Sequence, residues 1–153
     1  MRIMIIPKFL CCLFLLIVSV PCICMGQDTQ GLATFPMQQK GTEARHAEKI
    51  AAIKTRQYDL LMIGDSITHN FDQPEFKEVW DTFYAPRNAI SLGYSGGRTE
   101  NTLWNLANGE LDGQSPKVVT LLIGTNNSDD ANYPVVHSAE EIAAGTKAIV
   151  EYL

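Results

Sequence analysis

Short apolar runs alternate with helical patterns along most of this chain. Three runs bounded by polar and turn residues predict buried strands over residues 60–63, 88–92 and 118–123. Apolar residues at helical spacing predict helices that begin near Thr42, Pro74, Thr99 and Ser138. The predicted order is therefore helix, strand, helix, strand, helix, strand, helix, and no internal repeat is visible.

Each predicted helix has one face that we expect to pack against the sheet. The third helix places Leu103 and Leu106 inward. The first helix has only a weak stripe, formed by Ala47, Ile50, Ala51 and Lys54. The second and the last helices have fuller stripes, formed by Phe76, Val79, Trp80, Phe83, Ile142, Thr146, Ile149, Val150 and Leu153.

Strands and helices that alternate in this way predict a parallel sheet covered on both faces, because crossovers between parallel strands are right-handed. The fold class is therefore α/β, with a layer of helices on each side of the sheet. Ligands of such open sheets bind at the carboxyl ends of the strands. We expect any functional site to lie at that edge.

The first 26 residues have the features of a secretory signal peptide. Two basic residues precede an apolar stretch over residues 9–20, and Pro21 ends it before small residues suited to cleavage. The alternative is a retained membrane anchor, because the run over residues 9–25 is only slightly shorter than the ~18 residues of a spanning helix. We expect an exported protein, periplasmic or extracellular, that is membrane-anchored if the leader is retained.

Residues 27–41 are polar without periodicity, which predicts a linker, and one domain would then occupy residues 42–153. All four cysteines lie in the leader, so the exported part can form neither a disulfide nor a thiolate metal site. Without the leader, ten basic residues accompany seventeen acidic ones, a net charge of −7 that disfavours a nucleic-acid partner. The residues imply no cofactor and no metal.

Polar motifs follow all three predicted strands: Gly-Asp-Ser, a glycine-rich turn and Gly-Thr-Asn-Asn. A serine attacks an ester usefully only beside a base, and the attack creates an oxyanion that needs preorganised donors. Ser66 offers a hydroxyl and its own N–H, Gly96 a backbone N–H without an obstructing Cβ, and Asn126 a side-chain amide. These three are the candidate catalytic residues, and Asp65 is interpreted as a residue that holds the turn.

The order of these motifs resembles the SGNH, or GDSL, hydrolase family, whose named residues are a serine, a glycine, an asparagine and a histidine. The succession from the glycine turn through Leu103-Trp104, residues 108–111 and residues 116–118 to residues 124–127 is closely similar to one subfamily, the catalytic subunits of platelet-activating factor acetylhydrolase IB. The resemblance covers about residues 45–153, the amino-terminal two thirds of the family's domain.

This resemblance implies a three-layer, flavodoxin-like parallel sheet of the SGNH type, truncated after the third strand and the helix that follows it. It also implies hydrolysis of a carboxylic ester, with acetyl or another short acyl group. Ser66 would be the nucleophile, and the Ser66 N–H, the Gly96 N–H and the Asn126 side chain would form the oxyanion hole.

Two departures qualify the match. Gly97 stands where many relatives carry an acidic residue, and we expect a looser turn there. More importantly, the family's Asp-x-x-His motif has no counterpart in the 153 residues. Of the three histidines, His69 and His137 fit solvated positions better than the role of a base, and His46 fits the surface.

Without that histidine, we expect a nearly inert fragment of an ester hydrolase. The alternatives are a catalytically inactive module that binds acylated sugars or lipids, and a degenerate truncated product. The expected partner is a small acyl ester, the membrane is a partner only if the leader is retained, and the resemblance allows a homodimer. The unpaired apolar edge of the third strand predicts an aggregation-prone chain.

Overall fold

The computed structural model describes residues 31–153, so the predicted signal peptide and residues 27–30 lie outside the described residues. Three parallel strands form one sheet in the order β2-β1-β3, with β1 at Leu60–Gly64, β2 at Ala89–Gly93 and β3 at Val118–Leu122. Each strand lies within one residue of its predicted position. The predicted α/β fold with a parallel sheet is confirmed.

The described residues form five α-helical segments: α1 Glu43–Ile53, α2 Ser66–His69, α3 Lys77–Val79, α4 Thr99–Asn105 and α5 Ala139–Tyr152. Short turns of 3₁₀ or π geometry connect or extend them at Leu32–Thr34, Asn70–Asp72, Pro74–Phe76, Trp80–Tyr84, Ala85–Arg87, Leu106–Glu110 and Thr125–Asn127. The helix predicted to begin near Pro74 is therefore a series of short helical turns. None of the helices in residues 31–153 has the length and apolar character needed to cross a membrane.

The larger core lies on one face of the sheet, beneath α1, α4 and α5. Its buried residues are Ile53, Tyr58, Leu61, Ile63, Ile90, Leu92, Leu103, Leu106 and Ile149. Burial of an aliphatic side chain of this size contributes about 1.5–3 kcal/mol. The predicted inward positions of Leu103, Leu106 and Ile149 are confirmed, but Val150 and Leu153 are exposed.

The opposite face has a smaller core, in which Leu60, Met62 and Ala89 lie beneath three aromatic side chains, those of Phe71, Trp80 and Tyr84. Of the stripe predicted for the second helix, only Trp80 packs against the sheet, and Phe76, Val79 and Phe83 are exposed. The prediction fails because 3₁₀ and π turns interrupt the 3.6-residue period that would keep the four side chains on one face.

In place of the predicted stripe, helix α1 buries the polar side chains of His46 and Lys49 together with Ile53, which belongs to the larger core. Lys49 Nζ lies 2.7 Å from the Asp72 carboxylate, and His46 Nδ1 lies 3.0 Å from the Glu110 carboxylate. These charged partners compensate the burial of the two side chains. The expectation that His46 lies on the surface is therefore wrong.

The segment from residue 31 to 41, which falls within the predicted linker, makes contacts with the domain. Ala33 is buried, and its carbonyl accepts a hydrogen bond from Thr99 Oγ1 at 2.9 Å. The Met37 N–H donates to the Glu100 carbonyl at 3.0 Å, and Asn101 Nδ2 donates to the Met37 carbonyl at 2.9 Å. Backbone groups make these contacts, so the side-chain pattern of the sequence did not reveal them.

Candidate active site

The three strands end at the same level of the sheet. Gly64 of β1 is in register with Gly93 of β2 and Leu122 of β3. Just beyond these ends, the Tyr94 N–H donates to the Gly64 carbonyl at 3.0 Å, and the Asp65 N–H donates to the Leu122 carbonyl at 3.3 Å. Ser66, Gly96 and Asn126 follow the strand ends by two, three and four residues, so all three lie at this edge.

Ser66 is the first residue of α2 and is partly exposed. Asp65 caps this helix: its Oδ1 accepts from the Ile67 N–H at 2.9 Å, which supports its interpretation as the residue that holds the turn. The helix lies directly on the strand ends because Gly93 has no side chain. A Cβ on Gly93 would lie only 2.6 Å from the Thr68 carbonyl carbon.

The glycine turn is closed by a hydrogen bond from the Gly97 N–H to the Tyr94 carbonyl at 2.9 Å. Gly96 has a φ of +73°, which suits glycine, and its carbonyl accepts from the Tyr133 hydroxyl at 2.9 Å. A Cβ on Gly97 would lie 2.8 Å from the Tyr94 carbonyl oxygen. The expectation of a looser turn at Gly97 is wrong, because here glycine permits the close approach that shuts the turn.

Asn126 connects its own loop to the glycine turn. It lies in the 3₁₀ turn Thr125–Asn127, and its Nδ2 donates to the Gly97 carbonyl at 2.9 Å. A side-chain amide carries two hydrogens, so one remains for a second acceptor. In the described part of the chain, the Gly96 N–H has no hydrogen-bond acceptor. The edge therefore presents a serine hydroxyl and two N–H donors.

A buried polar network lies beneath these loops, and sequence reasoning missed it. Asn127 Oδ1 accepts from the Thr99 N–H at 3.0 Å, and its Nδ2 lies 2.9 Å from Glu100 Oε2 and 2.8 Å from His137 Nδ1. Arg98 joins the network through Nη2, which is 3.1 Å from His137 Nδ1. The network ties the start of α4, which follows the glycine turn, to the Asn126 loop.

The sequence carried only a weak signal for this network. Arg98 and Glu100 stand at the start of a predicted helix, where charged side chains are usually solvated, yet both are buried here. His137 is also buried, which corrects the expectation of a solvated position. Since Arg98 and Asn127 both present donors to its Nδ1, the proton of the neutral ring is on Nε2.

None of the three histidines, all of which are described, is hydrogen-bonded to Ser66 Oγ. His46 contacts the Glu110 carboxylate and the Asn108 carbonyl, at 3.0 and 3.2 Å. His69 Nδ1 contacts the Ser95 hydroxyl at 2.9 Å. Within residues 31–153, no group of three or more His, Cys, Asp or Glu side chains is placed to hold a metal ion.

The chain is similar to one family of known proteins. A model of the GDSL-like lipase/acylhydrolase family matches residues 62–153. The chain is 34% identical over 110 residues to platelet-activating factor acetylhydrolase IB subunit alpha2 of Homo sapiens, which is 72% of this chain and 44% of that protein. It is 32% identical over 130 residues to subunit alpha1 of Homo sapiens and 35% identical to that of Bos taurus, in both cases over 82% of this chain and 52% of the relative. The chain thus spans about half the length of these curated relatives.

Proposed function

Because this chain belongs to the GDSL-like lipase/acylhydrolase family, we propose that it is a carboxylic-ester hydrolase with Ser66 as its nucleophile. The observation that carries the proposal is the meeting of three loops at one edge of the sheet, where Asn126 is hydrogen-bonded to the turn beside Gly96. The similar proteins are named acetylhydrolase subunits, which supports acetyl or another short acyl group. The substrate would be a small ester, such as an acylated sugar or lipid.

In the proposed reaction, Ser66 Oγ attacks the carbonyl carbon of the ester while a base takes its proton. The carbonyl oxygen becomes an oxyanion that accepts from the Ser66 N–H, the Gly96 N–H and the second amide hydrogen of Asn126. The intermediate then expels the alcohol, which takes the proton from the base, and Ser66 remains acylated. Water attacks the acyl-enzyme with help from the same base, and the acid leaves as Ser66 regains its proton.

The base is proposed to be a group other than the histidines of this chain, since the hydrogen bonds of all three are to residues other than Ser66. The resemblance implies a histidine in an Asp-x-x-His motif, and we propose that this chain is a fragment of a hydrolase that has it. Reading the nucleotide sequence beyond codon 153 tests this origin. An Asp-x-x-His in any frame supports it, and a continuation without one contradicts it.

We further propose that the protein is exported through its leader and acts as a periplasmic or extracellular enzyme, or as a membrane-anchored one if the leader is retained. The support is the order of basic, apolar and small residues over the first 26 positions. Mass spectrometry of the protein from exported fractions tests this directly. A mature chain that begins near residue 27 supports cleavage, and an intact Met1 in the membrane fraction supports the anchor.

The decisive test of activity compares hydrolysis of 4-nitrophenyl acetate by the full chain and by its Ser66→Ala variant, with and without imidazole. Loss of a triad histidine lowers kcat by about 10⁶ and leaves about 10³ to 10⁴ over water. We therefore expect slow turnover that depends on Ser66 and that increases when imidazole supplies the base. Equal rates for the two proteins at every imidazole concentration would refute the proposal.

A second candidate function is a module that binds acylated ligands without turning them over. It is favoured by one observation, that Ser66 Oγ has no histidine partner among the described residues. Titration calorimetry with an acetylated sugar or a short-chain lipid ester separates the two functions. Saturable binding without Ser66-dependent turnover supports the module, and turnover supports the enzyme.

A further inference from the structure

His69 connects the helix that carries Ser66 to the turn that carries Gly96. It is the last residue of α2, three positions after the nucleophile. Its Nδ1 lies 2.9 Å from Ser95 Oγ and accepts the Ser95 N–H at 3.2 Å. A backbone N–H can only donate, so Nδ1 is the acceptor and the ring proton is on Nε2.

The main chain of His69 is fixed, so its ring has a defined position relative to the sheet. Its N–H donates to the Asp65 carbonyl at 2.9 Å. The same peptide unit lies against Gly93, where a Cβ would collide with it. The contact between His69 and Ser95 therefore fixes the position of the glycine turn relative to α2.

Ser95 is held both at its carbonyl, which belongs to the peptide with Gly96, and at its N–H, which belongs to the peptide before it. The Ser95 carbonyl accepts from Gln39 Nε2 at 2.8 Å, while the N–H and hydroxyl of Ser95 are held by His69. A trans peptide is planar, so its N–H points away from its carbonyl. Fixing the Ser95 carbonyl therefore fixes the direction of the Gly96 N–H, the donor that has no acceptor within the described residues.

The charges around His69 favour its neutral form. The groups that face it are Arg45, Glu48 and Lys49 of α1 and Asp72 of the turn after α2. Burial lowers the pKa of His69 from its ordinary value, Arg45 lowers it further, and the opposing effect of Asp72 is smaller. Arg45 and Lys49 both bind the Asp72 carboxylate, which leaves less of its charge for the ring.

We propose that His69 is a positioning residue, which holds the turn through Ser95 so that the Gly96 N–H is free to receive the oxyanion at Ser66. The proposal rests on the proposed function, and it assigns to His69 a task other than that of the base. Protonation of Nδ1 would turn an N–H toward the Ser95 N–H, so the hydrogen bond from the Ser95 backbone would be lost and only the Ser95 hydroxyl, turned to accept, could still bind the ring. The reactivity of Ser66 therefore depends on the neutral form of His69.

The test measures the rate at which a fluorophosphonate labels Ser66 in the full chain, by intact mass, as a function of pH. Three variants are compared: His69→Asn, whose Oδ1 can replace Nδ1, and His69→Gln and His69→Ala, which cannot replace it. We expect labelling near the wild-type rate for His69→Asn and about tenfold slower labelling for the other two. A tenfold decrease is smaller than the decrease of about 10² to 10³ that follows complete loss of an oxyanion donor. As the pH falls, the wild-type rate should fall relative to that of His69→Asn, which has no ring to protonate.

Thermal unfolding of each variant and ¹⁵N spectra of the His69 ring and the Ser95 amide accompany the rates. Equal labelling of His69→Ala and wild type overturns the proposal, as does a wild-type pH profile parallel to that of His69→Asn. If Ser66→Ala is labelled as fast as wild type while the spectra show the His69 contact, the proposed function itself fails, and the positioning role fails with it. Slow labelling of His69→Gln at an unchanged unfolding temperature supports positioning.

Discussion

At the scale of single residues, the two asparagines of the Gly-Thr-Asn-Asn motif contact different parts of the molecule. Asn126 is partly exposed at the edge of the sheet and makes one side-chain hydrogen bond, to the Gly97 carbonyl. Asn127 is fully buried and contacts Thr99, Glu100 and His137. We infer that Asn127 stabilises the loops and that Asn126 acts on the substrate.

Substitution separates these two roles. Asn127→Asp places a carboxylate next to the Glu100 carboxylate in the interior, and we expect a loss of about 3 kcal/mol in the free energy of unfolding. Asn126→Ala removes one hydrogen bond, which costs about 1 kcal/mol, but lowers Ser66-dependent turnover by about 10² to 10³. Urea denaturation and the acetate-ester assay measure the two effects. Equal stability losses in the two variants would contradict the division of roles.

At the scale of an element, buried polar side chains hold helix α1 against the rest of the domain. His46 Nδ1 faces the Glu110 carboxylate, and its Nε2 faces the Asn108 carbonyl. Both partners are acceptors, so the ring uses both nitrogens fully only as imidazolium. The Tyr94 hydroxyl also donates to Glu110, and burial, with the Glu110 charge next, raises the pKa of Tyr94, which keeps the hydroxyl protonated.

This arrangement predicts how stability depends on pH. The hydrogen bond to Glu110 raises the pKa of His46 above its ordinary value of 6.5, and the charge of Glu110 adds to the effect. The stabilisation is fully present below pH 6.5, the ordinary value, and is lost as the pH rises through the folded-state pKa. We expect His46→Gln to lower the free energy of unfolding by about 2 kcal/mol at about pH 5.5, and by less at about pH 8.5.

Urea denaturation of both proteins across that range measures the difference. Titrating groups that do not contact His46 contribute to both proteins alike and cancel in this difference. A difference between wild type and His46→Gln that stays constant with pH would show that His46 is bound to Glu110 in its neutral form.

The elements differ in how far the sequence predicted them, for a physical reason. Strands β1 and β2 were predicted because they are buried on both faces, so their residues are apolar apart from Ser91, whose hydroxyl donates to the Thr68 carbonyl at 3.0 Å. Helix α1 was placed correctly but its buried face was not, because His46 and Lys49 are compensated by Glu110 and Asp72, which are distant in sequence. Periodicity reports apolar burial and carries no information on paired charges.

In the candidate site, too, one part was predictable from the sequence and another was not. Its position at the strand ends follows from topology, so the edge that holds Ser66, Gly96 and Asn126 was predictable. The contacts of His69 with Ser95 and of Asn127 with Glu100 depend on how loops from different strands meet, which spacing in the sequence does not fix.

At the scale of the whole molecule, the sheet is asymmetric. The central strand β1 is buried along its length, whereas β3 is an edge strand whose alternate residues, Val118, Thr120 and Leu122, are exposed. Val118 also lines a depression of about 650 Å³ together with Leu60 and Phe83. An edge strand offers unpaired backbone groups, and apolar side chains beside them favour pairing with another chain.

We therefore expect the chain to associate through β3 as its concentration rises, which sedimentation velocity measures directly. Val118 is 54% exposed and Leu122 52% exposed, so a lysine at either position should be tolerated in the monomer and should weaken association through charge repulsion. Val150 is 59% exposed and belongs to helix α5 and not to the edge strand, so Val150→Lys is the matched control. Association weakened equally by Val150→Lys and by Val118→Lys would show that general surface hydrophobicity, and not the β3 edge, brings the chains together.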